Sequence, residues 1–215
     1  MRYTAVIFDF DGTIADTNEL VLASWQHTYE VRRGHRVDPT HILKSFGEPL
    51  YVTMQKEFPE WPVEETVAIY RNYQADIFEE MIRPFPGMLE LMRDLKDKGI
   101  KVSIVTSRLR GTTLQGLRVF GAEDLGEGLV TFEDTEKHKP DPDPVLAGME
   151  RLGSTPEATL VVGDSAYDIL CAHNAGVKAA LVTWSEAAAA GGFEGAAAPD
   201  YTVSGADALS ALILE

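Results

Sequence analysis

The sequence predicts an α/β fold: a parallel sheet covered by helices on both faces, with a helical segment inserted after the first strand. Three observations carry this prediction. Short apolar runs recur along the chain, and each leads into a turn and then a helical pattern. Glycines stand directly after the helical stretches, where C-caps belong. The alternation lapses once, over residues 18–83, where helical patterning continues without a strand run.

The strand candidates are residues 4–8 (TAVIF), 101–105 (KVSIV), 128–132 (GLVTF), 159–162 (TLVV) and 179–182 (AALV). Helical patterns cover 88–98, 112–120, 145–152 and 166–174, followed by Gly99, Gly121, Gly153 and Gly176. Strands alternating with helices imply right-handed crossovers, and therefore parallel pairing. In the interval 18–83, Asp16 with Glu19 three residues on has the form of a helix N-cap with its reciprocal partner. Val21, Trp25 and Thr28 then share one helical face. A second helix is expected over 50–58 and a third over 63–82, separated by Pro59 and Pro62 and closed by Pro84 and Pro86. The expected division is therefore a core of residues 1–15 and 84–215 with an insertion of 16–83, placed over the sheet edge where open α/β folds bind ligands. The stretch EAAAAGGFEGAAAPD (186–200) reads as a loose surface loop, and 207–214 as a terminal packing helix.

Composition narrows the function. The 215-residue chain is long enough for one sizeable core with a small attached unit, and 45% hydrophobic with 25% charged residues is ordinary for a globular protein. No apolar run approaches the roughly 20 residues of a membrane span, and the start lacks the pattern of a secretory signal. The single cysteine, Cys171, excludes an intramolecular disulfide and a cysteine metal cluster. It lies among apolar residues, as a packed core thiol does, and the expected compartment is the cytoplasm. A formal charge of −15 argues against nucleic acid or an anionic membrane as partner, but not against a small anion bound by local cations or a metal. Monomer and homodimer both remain open.

The chemistry lies at the strand ends. After the first strand come Asp9 and Asp11, which point to the same side if the strand continues, and Gly12, which permits a sharp exit. Each aspartate also suits an ordinary turn. The second strand runs into Thr106 and Ser107, hydroxyls able to bind an anion or to cap the next helix. KHKPDPDP follows, where Pro140, Pro142 and Pro144 stiffen the approach of Lys139, and Asp143 with Pro144 reads as N-cap and first helical residue. Lys137 and His138 read as solvated. The fourth strand ends in Gly163 and Asp164; Ser165 with Asp168 matches a capping box, which leaves Asp164 unexplained. Carboxylates in that number suit a hard cation such as Mg²⁺, held together with water and substrate phosphate.

DFDGT at 9–13, VTS at 105–107, Lys139 before Pro140 and GDSAYD at 163–168 resemble, in order, the four motifs of the haloacid dehalogenase (HAD) superfamily. The resemblance spans nearly the whole chain and implies a Rossmann-like core with a small α-helical cap. It implies Asp9 as nucleophile, Asp11 as acid–base, Thr106 with Ser107 as phosphoryl holders and Lys139 as charge partner. It also implies Mg²⁺ on Asp9, the backbone carbonyl of Asp11 and Asp164, with Asp168 at the metal's outer shell or orienting Lys139. Gly12 falls in the phosphate-binding turn of that scheme. Having Asp11 speaks against the dehalogenase branch, which lacks that acid–base.

Within the superfamily the phosphoglycolate phosphatase-like group matches. DTNEL with His27, the stretch 47–51 and SRLRGT at 107–112 resemble bacterial HAD-type inorganic pyrophosphatases. The implied activity is Mg²⁺-dependent hydrolysis of a small phosphate compound, pyrophosphate or phosphoglycolate, through an aspartyl-phosphate. A phosphosugar mutase is the alternative enzyme, and a non-catalytic phosphate-binding protein a third reading. Glu19, Gly47, Glu48 and Arg71 are the cap candidates for substrate contact, and Arg108 and Arg110 for a second phosphate.

Overall fold

Strand β1 (Ala5–Phe8) has all four residues buried, because it lies mid-sheet with a partner on either side. The computed structural model describes every residue except Met1, Lys44, Phe46, Gly47 and Ala190. β1 is followed by a short β2 (Ala15–Asp16), then by helices α1 (Asn18–Arg33), α2 (Pro39–Leu43), α3 (Leu50–Glu57) and α4 (Val63–Met81). Next come β3 (Arg83–Pro84), α5 (Met88–Asp97), β4 (Lys101–Ile104), α6 (Arg110–Val119) and α7 (Asp143–Leu152). The chain ends with β5 (Thr159–Gly163), α8 (Ala166–Asn174), β6 (Lys178–Val182), α9 (Glu186–Ala189), β7 (Tyr201–Val203) and α10 (Ala206–Leu214).

Five strands form a parallel sheet in the order β4-β1-β5-β6-β7. Side chains alternate across it and divide the interior into two layers. Val6 and Phe8 stand level with Val102 and Ile104 on one side and Leu160 and Val162 on the other, and this face packs on α5, α6 and α10. Ile7 and Val161 point the opposite way, toward Val145 and Met149 of α7 and Ile169 and Cys171 of α8. Ser103 faces that layer too, and it is tolerated there because its hydroxyl donates to Gly128 O at 2.8 Å. Cys171 is fully buried and donates to Asp141 O; burial pushes its thiol up to about 11, as befits a core thiol.

The helices of 16–83 enclose a separate apolar cluster of Trp25, Tyr29, Met54, Phe58, Val67 and Tyr70. Leu20 and Phe78, at the roots of α1 and α4, pack instead into the first sheet layer. Between them the chain leaves and re-enters the core through an antiparallel pair, Ala15 opposite Pro84 and Asp16 opposite Arg83.

Several expectations need correction. Residues 128–132 are no strand: one parallel bridge, Val105 to Val130, is all that forms. Gly128 has φ +77°, and Asp134 takes the Thr131 N–H that a longer ladder would have used. The fifth strand is β7, which pairs with β6. Asp16 does not cap α1; it sits in β2 and accepts from Asn18, while Thr17 is the residue before the helix. Asp143 is the first residue of α7 rather than its cap. The alanine-rich stretch contains α9 and docks on α8, where His173 bonds Ala196 O and Asp200.

Asp134 joins three elements. It accepts from the Thr131 N–H and hydroxyl, from Arg151 at 2.7 Å and from Arg110. Burial pushes its carboxyl up, but the bonds from Arg151 and Thr131 and the charge of Arg151 outweigh this and hold it well below the usual range. A carboxyl depressed in the folded state stabilises fully above its unfolded pKa, and that contribution fades as pH falls toward the folded value. Asp134→Asn is therefore expected to cost about 2 kcal/mol at pH 7. In urea titrations at stepped pH, its deficit against the parent chain narrows below about pH 4.

Candidate active site

Strands β1, β4 and β5 end at one rim of the sheet, and the polar residues beyond them, with Lys139, line a cavity of about 380 Å³ beneath the inserted helices. The Asp9 N–H still donates to Val162 O at 2.9 Å, so Asp9 remains in register beyond β1. Gly12 then turns with φ +78°, and a Cβ there would lie 1.8 Å from Asp164 Oδ2. Only glycine permits both the turn and that approach. Gly163, at the end of β5, serves the same closeness: a Cβ on it would meet Asp168 Cβ at 2.4 Å.

Lys139 is buried and donates to Asp9 Oδ1 at 2.6 Å, to Asp168 Oδ1 at 2.6 Å and to Val105 O at 2.9 Å. Three acceptors use all three of its protons. Asp168 is fixed from behind by Ser165, whose N–H and hydroxyl donate to Oδ2 at 3.0 and 2.6 Å; this is the capping box expected at the start of α8. Burial pushes the Asp9 carboxyl up to about 7, with Lys139 drawing it down and Asp168 pushing it up. Burial, then Asp168 and Asp9, push Asp164 well above the usual carboxylate range, and the Ser185 hydroxyl donates to it. One oxygen each from Asp9, Asp164 and Asp168 lies within 4.8 Å of the others. Three buried carboxylates against one lysine leave excess negative charge, and the all-oxygen donor set fits a hard divalent cation.

Asp11 lines the same cavity but belongs to a different pair. Arg108 donates Nε to Oδ2 at 3.0 Å and Nη2 to Oδ1 at 2.8 Å, and the Thr17 hydroxyl donates to Oδ1 at 2.8 Å. Burial pushes the Asp11 carboxyl up, but the charge and hydrogen bonds of Arg108, with the Thr17 bond, bring it below its ordinary value. Thr106 is buried, and its hydroxyl accepts from the Arg108 N–H at 3.1 Å, while Ser107 is exposed toward the cavity.

The sequence matches the model of the haloacid dehalogenase-like hydrolases over residues 6–182. The chain belongs to this family. It is an enzyme of the family's phosphatase type. It is 42% identical over 185 residues to "Putative pyrophosphatase PpaX" of Caldanaerobacter subterraneus, covering 86% of this chain and 84% of that one. "Pyrophosphatase PpaX" of Halalkalibacterium halodurans is 36% identical over 86% of each chain. Among solved structures, a "putative phosphoglycolate phosphatase" of Lactobacillus plantarum superposes with a TM-score of 0.85 at 24% identity, covering 99% of this chain and 100% of that one; that likeness is one of fold.

Against the motifs of the HAD-type hydrolases, Asp9, Asp11, Gly12, Thr106, Ser107, Arg108, Lys139, Asp164 and Asp168 all line the cavity. Glu48 lines it as well, its carboxylate bonded to Thr53 and Lys56, and Arg71 lines it over the ring of Tyr51. Glu19 is exposed and not among the lining residues, and Arg110 pairs with Asp134 outside it. His27 stacks on Tyr73 at 4.1 Å, away from the site. Gly47 lies outside the described residues. Sequence reasoning missed Thr17, Tyr70, Gln74, Phe78 and Ser185. Ser185 follows the end of β6 as Thr106 follows β4, and Tyr70, Gln74 and Phe78 recur at helical spacing, so both signals were legible.

Removing Lys139 strands two buried carboxylates. Lys139→Met is expected to cost about 3–5 kcal/mol in urea denaturation at pH 7, as breaking one side of a buried ion pair does. A double-mutant cycle with Asp168→Asn should return a coupling of about 1 kcal/mol or more.

Proposed function

We propose that this HAD-type phosphatase hydrolyses inorganic pyrophosphate through an aspartyl-phosphate on Asp9, with Mg²⁺ as its metal. The observation that carries this reading is the convergence of Asp9, Asp11, Thr106, Lys139, Asp164 and Asp168 on one cavity. The names of the 36–42% identical relatives support pyrophosphate over phosphoglycolate. We further propose that residues 16–83 act as a cap over a core of 1–15 and 84–215, excluding water during the first chemical step.

In the first step an Asp9 oxygen attacks phosphorus and the bond to the leaving oxygen breaks; Asp11 serves that oxygen as general acid. That role requires substrate to loosen the Arg108 pair, so that the Asp11 carboxyl takes up a proton from solvent beforehand. In the second, water attacks the phosphorus of the aspartyl-phosphate and Asp11 takes the water's proton, releasing phosphate and restoring Asp9. The ammonium of Lys139 offsets the repulsion between the Asp9 carboxylate and an anionic substrate. The hydroxyls of Thr106 and Ser107 donate to the transferring oxygens, where charge is spread in the transition state. Mg²⁺ would be held by Asp9, the Asp11 carbonyl and Asp164, with Asp168 orienting Lys139, and it supplies charge neutralisation at the phosphoryl oxygens.

Asp9→Asn should lower phosphate release from pyrophosphate by about 10³-fold or more, with an unchanged circular dichroism spectrum. Turnover near the parent rate in that folded variant would remove Asp9 as nucleophile. Phosphate release should stop in excess EDTA and return on adding Mg²⁺; full turnover after exhaustive chelation would refute the metal requirement. Measured rates on phosphoglycolate above those on pyrophosphate would move the substrate assignment to the ester.

A further inference from the structure

Tyr70, Gln74 and Phe78 follow one another at four-residue spacing on α4 and so share a face, which is buried over the cavity. That face covers Arg108, whose guanidinium carbon lies 5.3 Å from the centre of the Phe78 ring. The hydroxyl of Tyr70 accepts from Gln74 Nε2 at 3.0 Å, and among the described residues nothing accepts its own proton. Its charge neighbours are Arg108, Asp11 and Arg71. Arg108 gives Nε and Nη2 to Asp11, and Nη1 makes no hydrogen bond among the described residues. Arg71, next to Tyr70, lines the cavity against the Tyr51 ring, with no carboxylate at ion-pair distance among the described residues. Lys139, by contrast, has every proton engaged.

The cavity therefore has two cationic ends of different kinds. At Asp9, Lys139 is committed to carboxylates. Beside Asp11, the Tyr70 hydroxyl proton, one guanidinium nitrogen of Arg108 and the guanidinium of the half-buried Arg71 have no protein acceptor among the described residues. All three residues line the cavity, where an anionic ligand would supply one. Asp11 is the group that handles the leaving oxygen, so the unused donors surround the leaving group and not the transferring phosphoryl.

We propose that Tyr70, Arg71 and Arg108 form a subsite for an anionic leaving group, so that the enzyme selects phosphate compounds whose departing half carries its own negative charge. The inference rests on the phosphatase reading above and states what selects the substrate. Core and cap both contribute, Arg108 from the sheet side and Tyr70 with Arg71 from α4. An anion bound there draws the inserted helices onto the core, and charge that grows on the leaving oxygen meets fixed donors.

The test compares the parent enzyme with Tyr70→Phe, which removes only the hydroxyl, and with Arg71→Gln. Each is assayed with Mg²⁺ on pyrophosphate, phosphoglycolate and p-nitrophenyl phosphate, the last having no anionic group on its departing half. The ratio of kcat/KM for pyrophosphate to that for p-nitrophenyl phosphate should fall about 10-fold in each variant, the loss expected for one hydrogen bond to a charged group. Calorimetric binding of methylenediphosphonate should weaken about as much, relative to binding of inorganic phosphate. A parallel fall for phosphoglycolate extends the subsite to carboxylates; a fall for pyrophosphate alone restricts it to phosphate. Unchanged ratios in both variants, equal losses on all substrates, or a parent enzyme that turns over p-nitrophenyl phosphate and not pyrophosphate would each overturn the subsite while leaving the phosphatase reading intact. A parent enzyme that releases phosphate from none of the three would overturn that reading, and the subsite with it.

Discussion

One buried ammonium holds this site together. Lys139 lies among Asp9, Asp168 and the Val105 carbonyl, and without it two carboxylates would face each other in a poorly solvated space. Their repulsion and desolvation set the constraint that the surrounding chain satisfies. Lys139 reaches them from a segment stiffened by Pro140, Pro142 and Pro144, so little backbone freedom is lost in placing it. Asp168 is in turn fixed by Ser165, and Gly163 allows α8 to start against the end of β5. A lysine handles this arrangement well as a compact charge with three donors for three acceptors.

The sheet makes that convergence possible. Parallel strands direct all their carboxyl ends to one rim, so groups from residues 9, 106, 139, 164 and 185 meet although far apart in sequence. The rest of the charge at the rim is partitioned: Asp11 is balanced by Arg108 and Thr17, and Asp164 is shielded by Ser185. Thr17 stands at the point where the chain leaves for the insertion, and β2 with β3 clamps the outgoing and returning segments together. The insertion thus has its own apolar cluster but a fixed root. What it adds to the cavity is mostly donors and rings, from Tyr70, Arg71, Gln74 and Phe78.

Much of this was legible from residue patterns. The runs at 4–8, 101–105, 159–162 and 179–182 became strands because the middle of each is buried on both faces, as in a doubly covered parallel strand, with Ser103 satisfied by Gly128 O. The run at 128–132 looked the same but failed, because Gly128 and the Asp134 side chain compete locally for its backbone. β7 was missed for the opposite reason: Tyr201–Val203 is too short to carry a pattern and exists only through pairing with β6. Asp16 has the residue type and the spacing to Glu19 of a capping box, but long-range pairing with Arg83 places it in β2, one residue before the N-cap Thr17.

The sequence by itself determined the alternation of β1, β4, β5 and β6 with helices, the helical run after β1 and the identity of the motif residues, since all three depend on local periodicity and on residue type at strand ends. Apart from the Lys139 pairing that the motif resemblance implies, tertiary structure decided which charges compensate which. Asp11 pairs with Arg108 across 97 positions and Asp9 with Lys139 across 130, and no local pattern encodes a partner at that distance. It also decided that Glu19 and Arg110 stay outside the cavity while Tyr70 enters it. The physical reason is that the sign of a charge can be read from its residue, but its energy depends on the groups folding brings within a few ångströms.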